Sequence, residues 1–129
     1  MRALDHVAIA VKNLDEAISL YRTMGFHVSS VETVEEQKVR VAMLELENTH
    51  IELLEPTSED SPISRFLEKR GEGLHHIAVR VDDIEETLAS LKEKGIRLID
   101  GVPRTGAGGK RIAFVHPKSA KVLLELVEA

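Results

Sequence analysis

Two histidines and two glutamates in this chain have the types and the spacing to share one divalent cation: His6, His76, Glu52 and Glu125. Imidazole nitrogen and carboxylate oxygen together suit first-row divalent ions such as Co2+, Zn2+, Ni2+ or Mn2+. Four protein donors around an octahedral ion leave two adjacent positions for water or substrate. Two carboxylates alone in one cavity would force one of them to stay protonated, and a cation removes that conflict. The chemistry expected is that of a small metal-dependent enzyme with one ion per chain.

The four positions stand out because the chain repeats itself. Asp5-His6-Val7-Ala8-Ile9-Ala10-Val11 lies over His75-His76-Ile77-Ala78-Val79-Arg80-Val81 at an offset of 70, which places His6 on His76. The same offset carries Asn13-Leu14-Asp15-Glu16 onto Asp83-Ile84-Glu85-Glu86 and Gly25-Phe26 onto Gly95-Ile96. Ile51-Glu52-Leu53-Leu54-Glu55 matches Leu124-Glu125-Leu126-Val127-Glu128 at an offset of 73, which places Glu52 on Glu125. Two copies of so long a unit make a duplicated module, and equivalent residues converge if the copies pack about a pseudo-two-fold axis.

Each copy reads as βαβββ. The first has a strand over 4–11, rich in Val, Ile and Ala. A helix capped by Asn13 or Asp15 runs to about Met24 and is stopped by Gly25. Strands follow over 26–31, 39–46 and 50–54. The second copy predicts a strand over 75–81, a helix over 83–94, strands over 96–100 and 111–115, a turn over 116–119 and a strand over 121–127. Between the copies, 56–62 is a polar linker and 64–69 a short helix. The expected fold class is α+β: two βαβββ modules forming a curved, partly open β-barrel around a metal site. It is a single domain over 1–129, with module 1 at 1–55, linker and short helix at 56–73 and module 2 at 74–129.

Strand alternation assigns faces. His6, Ala8 and Ala10 share one face of the first strand, and Val7, Ile9 and Val11 share the other. The bulky face is expected against the helices, and the small residues beside His6 leave space for a cavity. Glu52 is out of phase with Ile51 and Leu53, as Glu125 is with Leu124 and Leu126.

A lone strand histidine is usually structural and a lone strand glutamate usually faces solvent. Their joint recurrence in both copies is what points to a site. The other histidines lack such a match. His50 shares a face with Glu52, but its counterpart is Leu123, so it reads as a solvated strand residue. His75 falls on the face opposite His76, His27 on the surface, and His116 in a turn beside Pro117. The segment 106–111 lacks the order of a phosphate-binding loop and reads as a flexible hairpin.

Composition narrows the partners. Net charge is −5 with no long basic run, and the aromatics are three Phe and one Tyr, which argues against nucleic-acid binding. Absence of cysteine excludes disulfides, thiolate ligands and a cysteine nucleophile. No stretch approaches a membrane span, and no amino-terminal signal is visible, so a cytoplasmic protein is expected.

The stretch Leu4-Asp5-His6-Val7-Ala8-Ile9-Ala10-Val11 with Leu14-Asp15-Glu16-Ala17 resembles the opening of the vicinal oxygen chelate (glyoxalase/bleomycin-resistance) superfamily. Over nearly its whole length the chain is similar to the methylmalonyl-CoA epimerase family within it. The residues that carry this are 48–56 (NTHIELLEP), 60–63 (DSPI), 73–79 (GLHHIAV) with 82–84 (DDI), 116–118 (HPK) and 122–126 (VLLEL). The resemblance implies a glyoxalase-like fold, a divalent metal held at His6, Glu52, His76 and Glu125, and an acyl-CoA substrate epimerised at C2 through an enolate. It also implies that Glu125 is one of two carboxylates that move the proton. In some members the other lies on the strand before the Glu52 turn, where this chain has Val41; Glu45 and Glu47 lie farther along, and that role stays unassigned. Exposed strand edges in such modules, together with the resemblance, point to a homodimer. The competing functions are a glyoxalase I-type isomerase, a metal-free resistance-type binding protein, and a ring-cleaving dioxygenase, against which the second Glu counts.

Overall fold

The computed structural model describes all residues 1–129. Its eight β-strands and four α-helices form two compact units, one of His6–His75 and the other of Met1–Asp5 with His76–Ala129.

In the unit His6–His75 the chain runs β1 (Ala3–Ala10, entering this unit at His6), α1 (Leu14–Thr23), β2 (His27–Val34), β3 (Val39–Glu45), β4 (His50–Pro56) and α2 (Pro62–Arg70). The strand order is β2-β3-β4-β1, antiparallel except for the parallel β1–β4 pair. In the other unit β5 (Gly73–Val81, entering at His76) leads to α3 (Ile84–Glu93), β6 (Arg104–Thr105), β7 (Arg111–Val115), α4 (Pro117–Ala120) and β8 (Leu124–Glu128). Its order is β5-β8-β7-β6, again with a single parallel pair, β5–β8. Met1–Asp5 belong here: the Arg2 N–H donates to the Arg80 carbonyl at 2.8 Å, and Arg80 Nε donates to Asp5 Oδ1 at 2.9 Å.

The duplication extends to individual hydrogen bonds. The Asn13 side chain accepts from the Glu16 N–H and the Asp83 side chain from the Glu86 N–H, each at 3.0 Å. These N-caps satisfy donors that the first helical turn leaves over. A second orphan donor goes to the last strand of the same unit. The Leu14 N–H meets Glu55 Oε2 at 2.9 Å, and the Ile84 N–H meets Glu128 Oε2 at 3.1 Å. Gly25 and Gly95 end the helices at φ of 100° and 79°, a conformation that costs glycine nothing. The cores correspond as well: Val11, Leu14, Ile18, Ala42, Leu44 and Leu53 in one unit, Val81, Ile84, Leu88, Ala113, Val115 and Leu126 in the other. Ile9 and Val79 pack against these clusters, so the bulky face of each first strand meets its helix.

The third element of the second copy differs from expectation. Residues 96–100 form no strand; only an isolated bridge joins Leu98 to Val115. The extended pairing comes later, at Arg104–Thr105. Two backbone donors, from Ile99 and Asp100, converge on the Phe114 carbonyl, and the Asp100 carboxylate takes the Phe114 N–H at 2.8 Å. A side chain thus occupies an amide that a ladder would have used. The turn expected over 116–119 is instead the short helix α4, and β8 starts at Leu124. No helix is long and apolar enough to cross a membrane.

Replacing Asn13 or Asp83 by Ala is expected to cost about 1 kcal/mol each. Leu14→Ala, which empties a fully buried site, is expected to cost roughly 2–5 kcal/mol. Urea unfolding of the three variants checks both values.

Candidate metal centre

Register decides what each catalytic candidate meets. In the parallel pair β1–β4, His6 lies beside His50 and Ala8 beside Glu52. In the parallel pair β5–β8, Ala78 lies beside Glu125. Laterally aligned residues share a face of the sheet. Each glutamate therefore has an alanine as its neighbour and an imidazole diagonal to it on the same face. Ala8 and Ala78 are fully buried and fill little volume, which leaves room for the carboxylates.

Within the unit His6–His75, His6 Nδ1 and Glu52 Oε2 are 3.3 Å apart. Within the other unit, His76 Nε2 and Glu125 Oε1 are 2.8 Å apart. All four residues are buried, between 3% and 6% exposed. A buried carboxylate is costly unless it is paired and hydrogen-bonded, so these are not incidental surface residues. The surroundings of the two pairs differ. Opposite Glu52 on β3 stands Met43, and opposite Glu125 on β7 stands Phe114. The Phe114 ring meets the His76 ring edge-on, with centroids 5.5 Å apart.

Each pair, taken within its own unit, fits two adjacent positions on a divalent ion. Neighbouring ligands on an octahedral ion with bonds of about 2.1 Å sit about 3 Å apart. The His6–Glu52 and His76–Glu125 separations bracket that value. Imidazole nitrogen beside carboxylate oxygen, as in each pair, suits the same ions.

His50 departs from its expected place. It is half-buried, not solvated: its Nε2 is 2.9 Å from Glu52 Oε2, and its ring stacks on that of His6 with centroids 5.0 Å apart. The signal was available, because His50 stands two residues before Glu52 on the same strand face. The missing counterpart in the second copy hid it. The remaining histidines lie outside the pairs described. The His75 ring meets the edge of Phe66 on α2 at 4.9 Å. His27 is exposed. His116 caps α4, its Nδ1 accepting from the Lys118 N–H at 3.0 Å. Residues 106–111 make the expected hairpin, closed by the Gly106 N–H on the Lys110 carbonyl at 2.8 Å. On β3, Val41 and Met43 precede Glu45 on the face of Glu52; Glu45 is paired in register with His50, at the exposed end of the strand.

A model of the glyoxalase/bleomycin resistance protein/dioxygenase superfamily matches residues 5–114. Over 128 residues the chain is 45% identical to the mitochondrial methylmalonyl-CoA epimerase of Dictyostelium discoideum, covering 97% of this chain and 77% of that one. It is 46% identical over 118 residues to the ethylmalonyl-CoA/methylmalonyl-CoA epimerase of Cereibacter sphaeroides, covering 89% and 88%. Among solved structures, a variant of Streptomyces coelicolor methylmalonyl-CoA epimerase in complex with 2-nitronate-propionyl-CoA superposes with a TM-score of 0.96 at 42% identity, covering 100% of this chain and 95% of that one. The fold is therefore glyoxalase-like, as the resemblance implied.

The cap on α4 makes stability sensitive to acid. Desolvation, with the positive charges of Arg97 and Lys118, pushes the His116 imidazole below its ordinary value. The neutral ring is the form that accepts the Lys118 N–H. The cap's contribution is complete above the ordinary histidine value and is lost as pH falls through the lowered folded-state value. His116→Asn keeps a capping acceptor that does not titrate. Thermal unfolding from about pH 8 to about pH 5 should show the wild type losing ground to this variant at the acid end.

Proposed function

The chain belongs to the glyoxalase/bleomycin resistance protein/dioxygenase superfamily, and from that premise we propose that it is a methylmalonyl-CoA epimerase, interconverting the (2R) and (2S) forms by moving the C2 proton. The observation that carries this reading is the pair of buried imidazole–carboxylate contacts, His6 with Glu52 and His76 with Glu125, at duplicated positions. Near-full-length similarity to enzymes named for that reaction supports it.

C2 of the substrate lies between a thioester carbonyl and a carboxylate, so its proton is moderately acidic and the enolate left behind needs stabilisation. His6, Glu52, His76 and Glu125 would hold one divalent ion, Co2+ first among the candidates, in a single domain. Such an ion supplies charge stabilisation for oxygens of the substrate. The protein residues hold the rest. His6 and His76 present ring nitrogens from the first strand of each copy. Glu52 and Glu125 present carboxylates beside alanines that leave the substrate space. Glu125 takes the proton from one face of C2, and a second acid delivers a proton to the opposite face, the two exchanging roles in the reverse direction. The acyl-CoA is the partner molecule. Pairing of two chains belongs to the same reading, supported by the outer strand β2 with Val31 48% exposed.

Exchange of the C2 hydrogen of methylmalonyl-CoA in heavy water tests the proposal. The protein loaded with Co2+ should catalyse the exchange, and removal of the metal by a chelator should stop it. Glu125→Gln should slow it by about 10²–10⁴-fold, the range expected when a general acid–base is lost. Exchange unaffected by both treatments would refute the proposal, and turnover of a glutathione hemithioacetal in place of exchange would redirect it to a glyoxalase.

A further inference from the structure

We propose that Arg104 is a specificity-determining residue that binds the free carboxylate of a malonyl-type acyl-CoA and so separates such thioesters from those with uncharged acyl groups. This rests on the reading of the chain as an acyl-CoA epimerase. It adds to that reading the side chain that recognises the second acid of the substrate.

Sheet register puts Arg104 on the face that carries Glu125. Within the unit that holds His76–Ala129, Arg104 on β6 pairs with Ile112 on β7, and Ile112 pairs with Val127 on β8. Val127 lies two residues beyond Glu125 on the same strand, and alternate residues share a face. The Arg104 side chain lies over Phe114, its guanidinium carbon 5.4 Å from the centre of the ring. Phe114 stands directly opposite Glu125 in the β7–β8 pair and meets the His76 ring edge-on. One phenyl ring thus touches both the guanidinium and His76. A guanidinium stacked on an aromatic face is held in orientation while its N–H groups stay free in its own plane.

The surrounding charges single Arg104 out. Arg80 stands on the same face, in register with Val127, but its Nε donates to the buried Asp5 carboxylate at 2.9 Å. Arg111 alternates to the opposite face and pairs with Glu85 and Glu128. Arg104 Nε is 3.5 Å from Asp100 Oδ1, longer than an ordinary hydrogen bond, and the other oxygen of that carboxylate accepts the Phe114 N–H at 2.8 Å. The Arg104 side chain is 41% exposed, and its terminal nitrogens keep donors to offer. Such a guanidinium grips a carboxylate through two parallel N–H···O bonds. The first copy puts an acid at this position: Glu32 on β2 pairs with Val41 as Arg104 pairs with Ile112. The cation is a feature of the second copy alone. Among the anionic groups of a malonyl-type thioester, the acyl carboxylate is bonded to C2 itself, and the phosphates lie at the far end of the pantetheine arm. A cation on the face of Glu125, one ring from His76, is placed for the carboxylate.

Malonyl-CoA and acetyl-CoA differ only by that carboxylate, and neither has a stereocentre at C2 to invert. Their affinities for the Co2+-loaded protein, measured by isothermal titration calorimetry, test the assignment. The wild type is expected to bind malonyl-CoA more tightly than acetyl-CoA. Arg104→Gln removes the charge, and Arg104→Glu installs the residue type of the first copy. Arg104→Gln is expected to weaken malonyl-CoA binding about 10–100-fold, and Arg104→Glu to weaken it further. Neither is expected to change the affinity for acetyl-CoA, and urea unfolding is expected to show both folded as the wild type is. Two results overturn the proposal. One is unchanged malonyl-CoA affinity in Arg104→Gln. The other is an equal loss for malonyl-CoA, acetyl-CoA and free CoA, which assigns the cation to the CoA phosphates. A wild type that binds malonyl-CoA no more tightly than acetyl-CoA contradicts the epimerase reading itself, and the role of Arg104 falls with it.

Discussion

Burying a carboxylate beside an imidazole is the constraint on which the rest of this molecule depends. Each unit does so once, with His6 against Glu52 and His76 against Glu125. Neither contact can be made by residues close in sequence. Each requires the first and last strands of a βαβββ unit to lie side by side in parallel, in one register. A slip of one residue would turn the glutamate to the opposite face and bury Ile51 or Leu124 in its place. Much of the remaining structure acts to prevent that slip. Glu55 and Glu128 at the ends of the last strands bind the first turns of α1 and α3, tying strand, helix and register together. The leucines next to the glutamates, Leu53 and Leu126, are fully buried against the helices. A buried acid on one face is thus held in place by apolar burial on the other.

Much of this was legible in the residues because duplication doubles every signal. The strand phases, the cap of the first helix at Asn13 or Asp15, its stop at Gly25 and the equivalence of the four donor positions were all visible in the residues. What escaped was whatever the copies do not share. His50 looked like a solvated residue because Leu123 stands in its place, yet a hydrogen bond to Glu52 and a stacked ring hold it half-buried. The expected strand over 96–100 failed because an aspartate side chain, Asp100, takes the Phe114 N–H that a ladder would have used. Periodicity and propensity do not report such a bond. The short helix α4 was hidden for a similar reason: a histidine is an unusual N-cap, and its Nδ1 finds the Lys118 N–H only once the chain has turned at Pro117.

Around the two glutamates the copies depart from symmetry. The two copies surround their glutamates differently: His50 and Met43 flank Glu52, while Leu123 occupies the equivalent position near Glu125 and Phe114 stands opposite it. The backbone keeps the duplication, and the side chains beside the two glutamates depart from it.

X-ray absorption spectroscopy of the Co2+-loaded protein tests the central claim most directly, because imidazole ligands leave a distinctive multiple-scattering pattern. The account predicts six nitrogen and oxygen neighbours at about 2.1 Å, two of them imidazoles, since one comes from each copy. A shell with a single imidazole, or with none, would contradict it.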